Sequence, residues 1–277
     1  LLFISNCSLS KKENAVKDNI VEILKKSDPI EKEFNQQLNI KKLNTFKTNP
    51  FLRNKTNNNG NINFDTNFEK IFNYKIKKIK KFNSNQPELF FTEDEKIIFF
   101  NGIGTIIKLN EDLKEVWKVN NYNKKEKKLN PILYFAQVGK RLLVTDNLSK
   151  IYAINLADGK VIWSKYSSSS FNSDIKVHND KFLTIDFDNI IRAISSIDGT
   201  ELWNFKTENS FIKSQKKNSI ILKDEIVFFI NNLGDVTALD VNTGSLVWQT
   251  PTQTSIIYQD TFSLENSDLV FENNSIY

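Results

Sequence analysis

The chain runs to 277 residues with 39% hydrophobic and 26% charged content, one cysteine and one histidine. The lone cysteine excludes an intrachain disulfide, and no Cys/His metal set can be assembled from such a composition. The net charge of +5 divides unevenly: residues 1–85 carry 17 basic and 8 acidic residues, residues 86–277 carry 21 and 25. The larger part is therefore mildly acidic, which argues against nucleic-acid binding.

In chain order, Leu1-Leu2-Phe3-Ile4-Ser5-Asn6-Cys7-Ser8 has the form of a secretory signal peptide running into a lipoprotein cleavage site. It resembles bacterial lipoproteins, in which such a cysteine carries a diacylglyceryl thioether and an acylated amine. Residues 1–7 are thus expected to be a signal remnant and Cys7 the lipidation site, although Asn6 replaces the usual small residue. Several acyl chains at about 0.8 kcal/mol per buried CH₂ anchor firmly. In such lipoproteins Ser8, rather than Asp, accompanies sorting to the outer membrane. With no methionine anywhere, the sequence is expected to be an internal piece of a longer chain.

Residues 8–66 hold few apolar side chains and the run Asn57-Asn58-Asn59-Gly60-Asn61, which predicts a flexible tether with short helices at 19–26 and 31–38. Lysines 75, 77, 78, 80 and 81 read as a solvated basic run beside it. Residues 67–82 include a strand-like stretch, 69–76, with Phe72 placed 45 residues before Trp117. That spacing matches the period of the tryptophans farther along the chain, so this stretch is expected to be a closing strand.

From residue 83 to 277 one unit repeats. Trp117, Trp163, Trp203 and Trp248 stand 46, 40 and 45 residues apart, and each ends a copy of one sentence. Three copies share Ala ten residues before Trp (Ala153, Ala193, Ala238) and Gly four before it (Gly159, Gly199, Gly244). Within a copy, Arg141–Thr145, Ile151–Leu156 and Val161–Trp163 are short apolar runs separated by Asn/Asp/Gly turns, which predicts strands in tight hairpins. A further strand precedes each copy, at 172–177 and 218–222. Each period is therefore a four-stranded antiparallel meander that cannot bury both faces alone. Radial stacking of such sheets is the β-propeller. The fold expected is all-β, about four and a half blades with the fifth cut by the end of the chain. Its edges are expected to form an open arc.

The pattern Ala-x-Asp-x-x-x-Gly-x-x-x-Trp resembles the repeat of pyrroloquinoline-quinone-type propellers. Ala238, Asp240, Gly244 and Trp248 match it fully; Asn155 and Ser195 stand for the Asp in two other copies. In the first copy Ile107, Leu109 and Leu113 take the places of Ala, Asp and Gly. Quinone-dependent dehydrogenases with this repeat use calcium, a catalytic Asp and adjacent cysteines. This chain has no adjacent cysteines, no Gly-rich phosphate loop, and His178 sits where a surface turn is expected.

No catalytic residue, cofactor or metal is therefore expected. A quinone-type propeller behind a lipoprotein signal and a polar tether resembles the BamB family of outer-membrane barrel-assembly lipoproteins. That resemblance implies a non-enzymatic scaffold of eight blades, lipid-anchored on the periplasmic face of a Gram-negative outer membrane. Its implied partners are the central barrel-inserting subunit and unfolded barrel precursors, met through inter-blade loops and strand edges. The alternatives are a fragment of a quinone-dependent dehydrogenase and a periplasmic propeller serving another partner.

Overall fold

The computed structural model describes residues 56–58, 89–208, 216–251, 268–272 and 275–277, all within one unit of the chain, 44–277. Cys7, the helices expected at 19–26 and 31–38, and the closing strand expected at 67–82 lie outside the described residues. Of the tether, only Thr56–Asn58 is described.

Among the described residues four antiparallel sheets of four strands follow one another, each a simple meander. The first holds β1 (Phe90–Phe91), β2 (Ile97–Phe100), β3 (Thr105–Leu109) and β4 (Glu115–Asn120). The second holds β5 (Leu133–Val138), β6 (Arg141–Asp146), β7 (Lys150–Asn155) and β8 (Val161–Tyr166). The third comprises β9 (Lys176–His178), β10 (Lys181–Ile185), β11 (Ile190–Ser195) and β12 (Glu201–Lys206). In the fourth are β13 (Ile220–Lys223), β14 (Ile226–Ile230), β15 (Asp235–Asp240) and β16 (Leu246–Pro251). A hairpin of β17 (Phe271–Glu272) and β18 (Ser275–Ile276) forms a two-stranded fifth sheet.

The middle strands of the second, third and fourth sheets are apolar on both faces because each of these sheets is covered on both sides. Leu142 and Val144 of β6, with Tyr152 and Ile154 of β7, pack on Ile98, Phe100, Ile106 and Trp117 of the first sheet. Their alternates Leu143, Ile151 and Ala153 face Phe182 and Ile194 of the third. The same exchange continues from Leu183, Ile185 and Ile191 to Val227 and Phe229, and from Phe228 and Ala238 to Leu269, Phe271 and Ile276. Apart from one cluster within the first sheet, each apolar cluster of the described residues bridges two consecutive sheets.

Two details differ from expectation. The inner strand of the third sheet is shorter than residues 172–177, because Phe171 and Ser173 make only isolated bridges. The ladder is replaced there by irregular bonds: the Asn172 N–H donates to Ile185 O at 2.9 Å while Asn172 O accepts the Asn218 N–H at 2.7 Å, and the Ser173 side-chain Oγ accepts the Ile185 N–H at 2.7 Å.

The first copy is also aligned differently. Its β3–β4 turn is one residue shorter, with the Leu113 N–H on Asn110 O where Gly159 bonds Asn155 O. Lys108, not Ile107, therefore stands opposite Trp117 in the place of Ala. Asn110, not Leu109, takes the place of Asp. Leu113 does hold the place of Gly, with φ +57°.

Candidate functional site

The repeat residues of the sequence meet at the seams between sheets. Ala153, Ala193 and Ala238 lie directly across the strand pair from Trp163, Trp203 and Trp248. A methyl group there leaves room for the indole on the same face. Each indole then reaches the next sheet. Trp117 Nε1 donates to Leu156 O at 2.9 Å, Trp163 Nε1 to Ser196 O at 3.2 Å and Trp203 Nε1 to Val241 O at 3.1 Å.

The carbonyls that accept these bonds belong to the turns carrying Gly159, Gly199 and Gly244. These glycines have φ of +72°, +72° and +73°, and the indole of the preceding sheet lies on each of them. A Cβ on Gly199 would stand 2.6 Å from the Trp163 ring. Two separate demands therefore fix glycine here: a left-handed backbone and a ring pressed against the Cα. Trp248, with no such partner among the described residues, is 39% exposed against 8% for Trp117.

The Asp of the repeat is a turn residue. Asp240 Oδ1 accepts the N–H groups of Asn242 and Thr243 at 2.9 and 2.8 Å, and the Thr243 hydroxyl at 2.9 Å. The Thr243 N–H leads in lowering its pKa. Asp158 and Asp198 are lowered in the same way, Asp158 chiefly by the Lys160 N–H and Asp198 to about 2, chiefly by the Thr200 hydroxyl.

A second recurrent turn residue is not evident from the sequence pattern. Asp146, the last residue of β6, and Asn101, Asp186 and Asn231, the residues just after β2, β10 and β14, each accept two N–H groups, two and four residues on. The two aspartates turn their other oxygen to a neighbour. Tyr122 donates its hydroxyl to Asp146 Oδ2 at 2.5 Å, and Arg192 forks onto Asp186 Oδ2 at 3.2 and 3.0 Å. Burial raises the pKa of both carboxyls, against the pull of these donors. The signal was present in the spacing, but alternation between Asn and Asp hid it.

Among the described residues the outer strands β4, β8, β12 and β16 are edges. At each, pairing slips by one residue just after the position facing Trp, so that Val116, Ile162, Leu202 and Val247 are bulged out. These four aliphatic residues are 51, 47, 52 and 51% exposed. The result is one apolar side chain at the equivalent outer-edge position of each four-stranded sheet.

His178 closes β9 with its side chain half-buried, Nε2 3.4 Å from Glu225 Oε2, instead of standing free in a surface turn. Among the described residues no three His, Cys, Asp or Glu side chains converge as a metal site. No helix among them is long and apolar enough to cross a membrane.

The geometry has relatives. The crystal structure of BamB from Moraxella catarrhalis superposes with a TM-score of 0.54 at 17% identity, covering 69% of this chain and 56% of that one. The crystal structure of the computationally designed Ika8 protein gives 0.52 at 14% identity, covering 68% and 53%. The chain thus spans about half the length of either, and at these identities the likeness is one of fold. No curated protein matches the chain in sequence. A family model described as outer membrane protein assembly factor BamB matches residues 103–277, from the β2–β3 turn of the first sheet to the last residue. With more than half of its length matched, the chain belongs to the BamB family of quinone-type propellers.

Proposed function

We propose that this protein is a non-enzymatic scaffold lipoprotein on the periplasmic face of the outer membrane, serving β-barrel assembly. The observation that carries the reading is the family match over residues 103–277. The use of Asp158, Asp198 and Asp240 in their own turns supports it, since these carboxylates are engaged in shaping backbone. The surface offered to a partner is the series of bulged aliphatic residues on the outer edges, together with the inter-sheet loops. Half-exposed side chains of this kind gain apolar burial when covered, at about 25 cal/mol per Å².

The test is cross-linking in membranes of cells making the full-length protein, followed by recovery of the central barrel-inserting subunit. That subunit is expected in the cross-linked fraction, and its consistent absence sinks the assignment. Changing Val116, Ile162, Leu202 and Val247 together to Ser is expected to reduce recovery severalfold while shifting Tm little. For the anchor, palmitate labelling is expected in the parent and lost in Cys7→Ser. An unlabelled parent refutes lipidation.

A further inference from the structure

The tripeptide Thr56–Asn58 lies against the inner strands of three consecutive sheets. Thr56 O accepts the Leu222 N–H of β13 at 2.6 Å. Asn57 pairs its carboxamide with both backbone groups of Phe271, Nδ2 donating to Phe271 O at 2.8 Å and Oδ1 accepting the Phe271 N–H at 3.1 Å. This is the two-bond exchange that a neighbouring strand would make, supplied by a side chain.

Asn58 is held more completely. Its Nδ2 donates to Ser219 Oγ at 2.9 Å, Ile220 O at 3.3 Å and Leu269 O at 2.9 Å. Its Oδ1 accepts Lys176 Nζ at 2.7 Å. Lys176 has no exposed surface, so this carbonyl oxygen helps to solvate a buried ammonium. Ser219 Oγ accepts a second bond, from the Leu269 N–H at 2.8 Å, which joins the fourth sheet to the segment leading into the fifth.

The arrangement selects a chemistry. Three acceptors that share the two N–H groups of the amide, and one cationic donor, converge on a single side chain, so the occupant must both donate and accept. A carboxylate has no proton to give to Ser219, Ile220 and Leu269; an ammonium has no oxygen for Lys176. A carboxamide meets both demands. The contacts also reach across the chain, with 161 residues separating Asn58 from Ser219 and 214 separating Asn57 from Phe271.

We propose that the inner edges of the third, fourth and fifth sheets form a binding site for extended peptide segments bearing adjacent carboxamide side chains, and that Thr56–Asn58 is its resident occupant. A resident segment sees its site at an effective concentration of order millimolar. An external segment of the same chemistry displaces it only by exceeding that concentration or by adding contacts. Displacement frees the stretch ahead of the blades and opens the Leu222 and Phe271 backbone groups to another chain.

The experiment uses the full chain. Amide exchange at Leu222 and Phe271 is measured in the parent, in the Asn57→Ala/Asn58→Ala double variant and in Asn58→Asp, which keeps the side-chain size. Exchange at both amides is expected to rise about tenfold in the double variant, the loss of roughly one net hydrogen bond at each. A synthetic peptide of residues 53–61 at millimolar concentration is expected to restore protection in the double variant. The same peptide carrying aspartate at its Asn58 position is expected to restore none.

Equal exchange in parent and variants overturns occupancy of the site. Failure of the peptide to restore protection in a double variant that keeps the parent's circular dichroism overturns the binding site itself. If the double variant does not fold, Asn58→Asp takes its place: unchanged exchange then overturns occupancy, and failure of the peptide to restore protection overturns the site.

Discussion

At the scale of single residues, the seams are the sensitive points. Gly199→Ala meets both a left-handed backbone and the Trp163 ring at 2.6 Å. Left-handed strain of about 1–2 kcal/mol and overpacking of about 1–3 kcal/mol together predict a loss of roughly 2–5 kcal/mol, read from urea unfolding. A loss below about 1 kcal/mol would mean that the indole does not rest on this turn in solution.

The turn carboxylates set the acid limb of stability. Asp198, lowered from 3.8 to about 2, contributes stability that is present above 3.8 and lost as pH falls through about 2. Asp146 and Asp186 are raised by burial and act in the opposite sense, since their charged forms cost stability as pH rises through the raised values. Asp198→Asn is therefore expected to flatten the fall of the urea midpoint over that acid range, and an unchanged slope would refute the assignment. The Ala, Gly and Trp of the repeat were legible because three copies keep the same residue at each place. The Asx residue at 101, 146, 186 and 231 was not, because Asn and Asp present the same acceptor oxygen to the turn.

At the scale of elements, the outer strand shows what a period can hide. The four-residue spacing from Gly to Trp is visible in the sequence, but that one residue between them is squeezed out of the pairing appears only in the register. The bulge separates neighbours of opposite character. Trp203 packs into the core between the third and fourth sheets, whereas Leu202 beside it is 52% exposed. Trp203→Ala is expected to cost about 3–5 kcal/mol and Leu202→Ser less than about 0.5 kcal/mol by the same denaturation assay. Comparable losses would place Leu202 in the core.

Bulges of this kind also spoil an edge for indiscriminate strand addition. In the first copy, a turn shortened by one residue moved the Ala and Asp places to Lys108 and Asn110. Counting back from Trp117 at fixed spacing could not detect a deletion whose cost is absorbed by Leu113 in a left-handed conformation.

At the scale of the whole molecule, each four-stranded sheet is joined to the next through an apolar seam and an indole bond, and the described residues join the fourth sheet to the fifth through an apolar seam. Stability should then spread by nearest-neighbour terms, as in other repeat architectures. Trp203→Ala is accordingly expected to speed amide exchange in the third and fourth sheets more than in the first, and a uniform increase would argue for a single cooperative unit.

The sequence by itself determined the unit, its period and the residues that join one sheet to the next. Those are local demands, repeated, and repetition makes them readable. Only the tertiary structure decided which of the Asx residues cap turns, which aliphatic residues face outward, and that Asn57 and Asn58 lie on the inner strands. The caps and the bulges are local but show only in hydrogen bonding and register, whereas Asn57 depends on a partner 214 residues away, and its carboxamide's place is set by the donors and acceptors that converge on it rather than by its own neighbours in the chain.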